Sequence, residues 1–207
     1  FCNAADEILG PTLARGRGDD IAILFGDTKI TFNELNADVN RVANALRPYL
    51  AKGDRALLLL KDSPDFVAAH LGIMRSGAVA VAISTRSTAK DLAFVIDDAD
   101  ARVLLIDEEF LPIYQQAIAT CTRPPALVAV RGQAKGNLLA IEDLLVDASA
   151  DFLSAQTTAD DMAFWLYTSG TTGTPKAAVH CHGDVVIGDW YMQAFGFGPG
   201  ERVFSSS

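Results

Sequence analysis

Apolar residues along this chain fall into short runs of four to six, separated by amphipathic stretches of helical length. Ile21–Phe25 and Lys29–Thr31 flank Gly26-Asp27, which predicts a hairpin. Thr31 and Glu34 stand at capping-box spacing. Behind them Phe32, Leu35, Val39, Val42 and Leu46 recur on one helical face, with Pro48 marking the end. Arg55–Leu60 is apolar almost without interruption, as expected of a strand buried on both faces.

The alternation continues. Ser63-Pro64 supplies an N-cap and a first-turn proline for a helix through Met74, closed by Gly77. Val79–Ile83 reads as a strand, Thr88 as the cap of a helix near Lys90–Ile96, and Arg102–Ile106 as a strand. Glu108–Ala119 is helical, Ala126–Val130 a strand, and Arg131–Asn137 a surface loop. Ala140–Val146 is a short helix and Ser149–Asp161 a polar connection into the strand Met162–Tyr167. Lys176–His180 is a further short strand, Asp184–Phe195 a helix, and Glu201–Ser207 a strand. Strands separated by helices of this length pair in parallel, with helices over both faces of the sheet. The predicted fold class is therefore α/β with a mostly parallel sheet.

Composition narrows the function. Half of the 207 residues are hydrophobic, enough for a core, yet no apolar run approaches the ~20 residues of a membrane span. A net charge of −9 argues against a nucleic-acid or anionic-membrane partner. Three widely spaced cysteines, Cys2, Cys121 and Cys181, make no disulfide framework and fit a reducing, cytoplasmic compartment.

The chemistry is concentrated in Tyr167-Thr168-Ser169-Gly170-Thr171-Thr172-Gly173-Thr174-Pro175-Lys176-Ala177-Ala178-Val179-His180. Glycines let backbone N–H groups turn toward an anion, hydroxyls add donors, and Lys176 adds a full positive charge. A strand followed by such a loop suits a polyphosphate. It is not the phosphate loop of nucleoside-triphosphatases, which needs lysine directly after the last glycine and a helix behind it. Here Thr174 and Pro175 intervene and β-prone residues follow.

The stretch closely resembles the signature loop of the adenylate-forming acyl- and aryl-CoA synthetases, [Y/F]-T-S-G-[T/S]-T-G-x-P-K-G, with Ala177 in place of the last glycine. Ile30-Thr31-Phe32-Asn33-Glu34-Leu35 is similar to the opening motif of that family, and Met74-Arg75-Ser76-Gly77-Ala78-Val79-Ala80-Val81 to its second motif. Together they spread the resemblance over essentially the whole chain. Asp160–Tyr167 and Val179-His180-Cys181-His182 are most similar to the benzoate–CoA ligase branch.

The resemblance implies an ATP-dependent acid–thiol ligase that forms an acyl- or aroyl-adenylate and pyrophosphate, then a coenzyme A thioester. Its partners would be a carboxylic acid, ATP and coenzyme A, with Mg2+ travelling on the nucleotide. Thr168, Ser169, Gly170, Thr171, Thr172 and Gly173 would hold the β- and γ-phosphates, and Lys176 would offset charge on the departing pyrophosphate. Residues 1–207 would be an incomplete N-terminal, ATP- and acyl-binding domain. The adenine motifs, the hinge and a small C-terminal domain would lie downstream, leaving this piece inactive alone and prone to self-association into oligomers. A phosphotransferase or phosphohydrolase with an atypical loop, or a non-catalytic domain, is the alternative. The first needs an acidic magnesium pair near the loop, and the second would be expected to lose Lys176.

Other candidates have simpler readings. His180 and His182 flank Cys181, but no further Cys/His cluster supports a metal, so no metal site is assigned. His70 reads as structural, Asp97, Asp98 and Asp100 as a solvated turn, and Trp190 and Tyr191 as core. Phe164 and Trp165 point to opposite faces of one strand. Ala177 raises the question of whether a methyl group distorts the loop's end.

Overall fold

The computed structural model describes residues 1–136, 138–168, 175–185, 187–188, 194–198 and 200–203. The first helix, α1 (Ala4–Ala14), was not foreseen. Pro11 and Gly10 interrupt its pattern, but Asn3 caps it by accepting the Ala5 N–H at 3.2 Å. The hairpin follows as β1 (Ile21–Phe25) and β2 (Thr28–Thr31), turning through Gly26 at φ +57°. Helix α2 (Phe32–Leu46) opens on the expected capping box: Glu34 N–H donates to Thr31 Oγ1 and Thr31 N–H to Glu34 Oε2.

The main body is β3 (Arg55–Leu59), α3 (Pro64–Arg75), β4 (Val79–Ala82), α4 (Ala89–Ala99), β5 (Ala101–Asp107), α5 (Leu111–Ile118) and β6 (Leu127–Arg131). Then come β7 (Leu139–Ala140), α6 (Ile141–Leu145), β8 (Met162–Thr168) and β9 (Lys176–Cys181). Two predicted helices differ in detail. The one expected over Glu108–Ala119 begins as a 3-10 turn at Glu108–Phe110, and the two-residue strand β7 precedes α6. Of the helix expected over Asp184–Phe195, Asp184 and Val185 lie in a 3-10 turn, His182–Val185, while Ile187, Gly188 and Ala194 are helical and Phe195 is in a turn. Residues 186 and 189–193 lie outside the described residues. Of the expected terminal strand, residues 201–203 are irregular and 204–207 lie outside the described residues.

Strands β3 to β9 form one sheet in the order β7-β6-β5-β3-β4-β8-β9, parallel throughout except for the antiparallel pair β8–β9. Alternation along each strand divides the core. Ala56, Leu58, Ala80, Val103 and Leu105 face α1, α2, α3 and α6. Leu57, Leu59, Val81, Leu104 and Ile106 face α4 and α5. Both faces are thus covered, which is why these strands read as continuous apolar runs.

The first layer is drawn tight at Gly72, where a Cβ would stand 2.8 Å from the Val39 carbonyl oxygen and from Val42 Cβ. It is also pinned by Arg75, a guanidinium only 4 % exposed. Its Nη1 donates to Asn36 Oδ1 at 2.8 Å and Asn40 Oδ1 at 2.7 Å, and its Nε lies 3.2 Å from Asp6 Oδ1. Burial lowers its pKa and Asp6 opposes the shift.

Candidate functional site

Helix-covered parallel strands bind ligands beyond their carboxyl ends. Strand β8 runs parallel to β4, with Ala82 opposite Leu166, so Thr168 emerges at that edge. Strand β9 returns antiparallel with Lys176 in register with Thr168, and Thr168 Oγ1 lies 3.5 Å from the Lys176 carbonyl oxygen. The structure therefore joins the two ends of the candidate phosphate loop and leaves Thr168 and Lys176 exposed. Ser169, Gly170, Thr171, Thr172 and Gly173 lie outside the described residues.

Tyr167 braces the entry to the loop. Its hydroxyl donates to Asp98 Oδ2 at 2.6 Å, and burial, reinforced by Asp98, pushes the phenol well above its usual range. Ala177 sits opposite Tyr167 in β9. Among the described residues Asp100 is the one non-glycine residue at positive φ, so Ala177 holds an ordinary strand conformation that accommodates its methyl group.

The aspartates at the end of α4, Asp97 and Asp98 in its last turn and Asp100 at its C-cap, are not a simple solvated turn. Asp97 accepts the backbone N–H groups of Thr122 and Arg123 at 2.9 Å, and these bonds pull its carboxyl below the usual range. Asp98 holds Tyr167, while Asp100, at φ +46°, lies 3.2 Å from both Arg55 and Arg123. Spacing alone could not show these partners, which come from β3, β8 and the loop after α5.

The two histidines around Cys181 turn to different neighbours. His180 stacks on Phe164 with ring centres 4.5 Å apart, its Nδ1 3.5 Å from Asp184. His182 is buried, and its Nδ1 accepts the Ala4 N–H at 2.9 Å, tying the strand's end to the start of α1. Among the described residues no three His, Cys, Asp or Glu side chains are grouped to hold a metal. Phe164 and Trp165 do occupy opposite layers. Trp190 and Tyr191 lie outside the described residues.

His70 lies between Phe66 and Phe164, 5.9 and 5.6 Å between ring centres, and burial lowers its pKa to about 4. It is neutral when folded and titrates near 6.5 when unfolded, so the unfolded state takes up the proton first as pH falls. Stability is whole above pH 6.5, declines below it and levels off near 4. His182, lowered by burial too, acts in the same sense. His70→Phe keeps the stack and is expected to make the decline shallower in urea midpoints across that range. An unchanged slope would remove His70 as its cause.

A second concavity, missed by sequence reasoning, is a groove of about 630 Å3 at the ends of β3, β5 and β6. Its charges neutralise one another: Lys61 with Glu109 at 2.6 Å, Arg131 with Asp107 at 2.5 Å, and Lys135 with Glu108 at 3.5 Å. That pairing leaves it ill suited to a polyphosphate, unlike the exposed Lys176.

The deciding comparison is with a family model described as AMP-binding enzyme, which matches residues 12–207. The chain belongs to the AMP-binding enzyme family. It is 46 % identical over 208 residues to a 3-hydroxybenzoate–CoA/4-hydroxybenzoate–CoA ligase of Thauera aromatica, covering 99 % of this chain and 40 % of that protein. A benzoate–CoA ligase of the same organism is 35 % identical, covering 99 % of this chain and 39 % of its own length. The solved structure of an anthranilate CoA ligase in complex with anthranoyl-AMP superimposes with a TM-score of 0.84 at 31 % identity, over 89 % of this chain and 35 % of that one. The chain thus spans about two fifths of the length of the curated AMP-binding relatives it matches. The expected likeness to the benzoate–CoA ligase branch, and the mostly parallel α/β fold, are both borne out.

Proposed function

We propose that this chain is the N-terminal, nucleotide-phosphate-binding part of an ATP-dependent aryl-acid–CoA ligase. The observation that carries the reading is the Thr168–Lys176 pairing, which brackets a Ser/Thr/Gly loop at the carboxyl edge of a parallel sheet. The similarity to hydroxybenzoate and benzoate ligases supports the reaction class and an aromatic acid as substrate. The free cysteines fit a cytoplasmic setting, and no helix among the described residues is long and apolar enough to cross a membrane.

In this mechanism the carboxylate needs no base, since a carboxylic acid of pKa near 4 is already ionised at neutral pH. A carboxylate oxygen bonds to the α-phosphorus of ATP, and the bond to the β-phosphate oxygen breaks, releasing pyrophosphate. The sulfur of coenzyme A then attacks the acyl carbon, AMP departs with the bridging oxygen, and the thiol proton passes to solvent. The difficulty of the first step is an anion approaching a polyanion. Backbone N–H groups around residues 169–173 and the hydroxyls of Thr168, Ser169, Thr171 and Thr172 hold the β- and γ-phosphates, while Lys176 neutralises charge on pyrophosphate. Magnesium would enter with the nucleotide. Among the described residues no three His, Cys, Asp or Glu side chains are grouped to hold it, so its ligands would be the phosphates.

The test is carboxylate-dependent exchange of labelled pyrophosphate into ATP by the full-length protein. Benzoate and the hydroxybenzoates are expected to support faster exchange than palmitate. Faster exchange with palmitate would overturn the aromatic assignment, and no exchange with any carboxylate would overturn adenylation.

A further inference from the structure

Helices α2, α3 and α6 meet over the ends of β3 and β5 without filling the space between them, leaving a cavity of about 170 Å3. Small side chains cause the gap: Ala45 on α2, and Ala68 and Ala69 on α3, face a floor of Leu60 and Leu105. The roof is α6, which contributes Leu144 and Leu145. It is five residues long, has no side-chain cap, and buries none of its residues fully.

The chemistry of the lining selects a ligand. No lining residue carries a buried side-chain nitrogen or oxygen left without a hydrogen-bond partner. The side chains of Ala45, Ala68, Ala69, Leu60 and Leu105 offer a water no hydrogen-bond partner, so any polar partners it found would lie at the rim. Charges stand at the rim and are already engaged: Arg41 with Asp38 at 2.7 Å, and Arg131 with Asp107 at 2.5 Å and Asp65 at 3.3 Å. Glu142 adds a further carboxylate there. A dry apolar void of ~150 Å3 takes up benzene. An anion would have to displace an existing ion pair and face surplus carboxylates.

The chain after α6 is tied to α2, where Asn40 donates to the Ala150 carbonyl and Asn44 to those of Ser149 and Asp151. The chain before it is held by the short β7–β6 pairing. Between these anchors the roof is a single uncapped turn, whose local opening would admit a ligand without unfolding its neighbours.

We propose that this cavity is a binding site for a small neutral arene, of benzene or toluene size, separate from the acid-activating site. Strands β3 and β4 lie between β5, on the cavity floor, and the β8–β9 hairpin. The inference does not depend on the ligase reading, because the cavity shares no residue with the phosphate loop.

Methyl NMR of the chain titrated with toluene, and separately with benzoate, tests it. Toluene is expected to shift the Leu60, Leu144 and Leu145 methyls saturably and to raise the melting temperature, with benzoate doing neither. Ala45→Leu fills the gap from its rim and is expected to abolish the saturable shifts. Persistence of those shifts in the variant would overturn the site, as would equal shifts at those methyls with benzoate. If Ala45→Leu does not fold, the unaltered chain decides. Shifts confined to the cavity methyls uphold the proposal. Toluene shifts spread equally over the exposed Ile8, Val146 and Leu153, or none at all, refute it.

Discussion

Replacing Lys176 with alanine in the full-length protein is expected to slow carboxylate-dependent pyrophosphate exchange by about 10- to 1,000-fold, the scale for losing one transition-state charge donor. The ammonium group acts where negative charge collects on departing pyrophosphate, so removing it raises the barrier of that step. The fold has little stake in this side chain. Lys176 is exposed at the first position of β9, and among the described residues it enters no ion pair. Its removal is therefore expected to shift stability by no more than about 0.5 kcal/mol, the range for surface positions without special contacts. Lost exchange together with an unchanged urea midpoint would isolate the charge as the cause. Exchange at the unaltered rate would remove Lys176 from the mechanism.

The largest effect on stability is expected at Arg75. Arg75→Ala strips Asn36 Oδ1, Asn40 Oδ1 and Asp6 Oδ1 of a shared cationic neighbour inside the layer that joins α1, α2 and α3. Removing one member of a buried ion pair costs about 3–5 kcal/mol, chiefly because the partner is left buried and uncompensated. That is a large part of a typical domain's net stability. Asp6 is one-third exposed, which places the effect toward the lower end. Arg75→Met, keeping the stem's packing, should recover part of it. Equilibrium urea unfolding of both variants is the measurement. A shift in Arg75→Ala no larger than that of a surface substitution would mean that the network does not hold the layer.

The elements that sequence reading found share a property: their signals are local. Thr31 with Glu34, Ser63 with Pro64, and Thr88 with the helix behind it are start signals complete within four residues, and each heads a helix in the structure. Buried strands announced themselves as apolar runs because both faces are covered. Helix α1 escaped because Gly10 and Pro11 interrupt its pattern, and beyond the local Asn3 cap much of what holds it is distant. Asn3 reaches Met74 and Thr157, and Ala4 reaches His182. The candidate site divides the same way. The loop's donors and Lys176 were legible as a string, and the comparisons bear out the family they indicated. The bracing of Tyr167 by Asp98 was not, because the two residues are 69 positions apart and meet only once α4 and β8 are placed. The cavity under α6 was illegible for a different reason, since a void is fixed by what three helices fail to fill.

The reversal of chain direction between β8 and β9 makes the position of Lys176 a matter of counting. Strand β8 is fixed by β4, whereas β9 takes its place from the ladder with β8. Side chains alternate along a strand, so a slip of one residue would turn Lys176 to the opposite face of the sheet. A slip of two would restore its side but carry it ~7 Å along the edge. The hairpin thus works as a ruler with coarse divisions. Insertions within the loop leave the lysine where the ladder sets it, while a single residue added or lost between Lys176 and Cys181 would misplace it by a whole division.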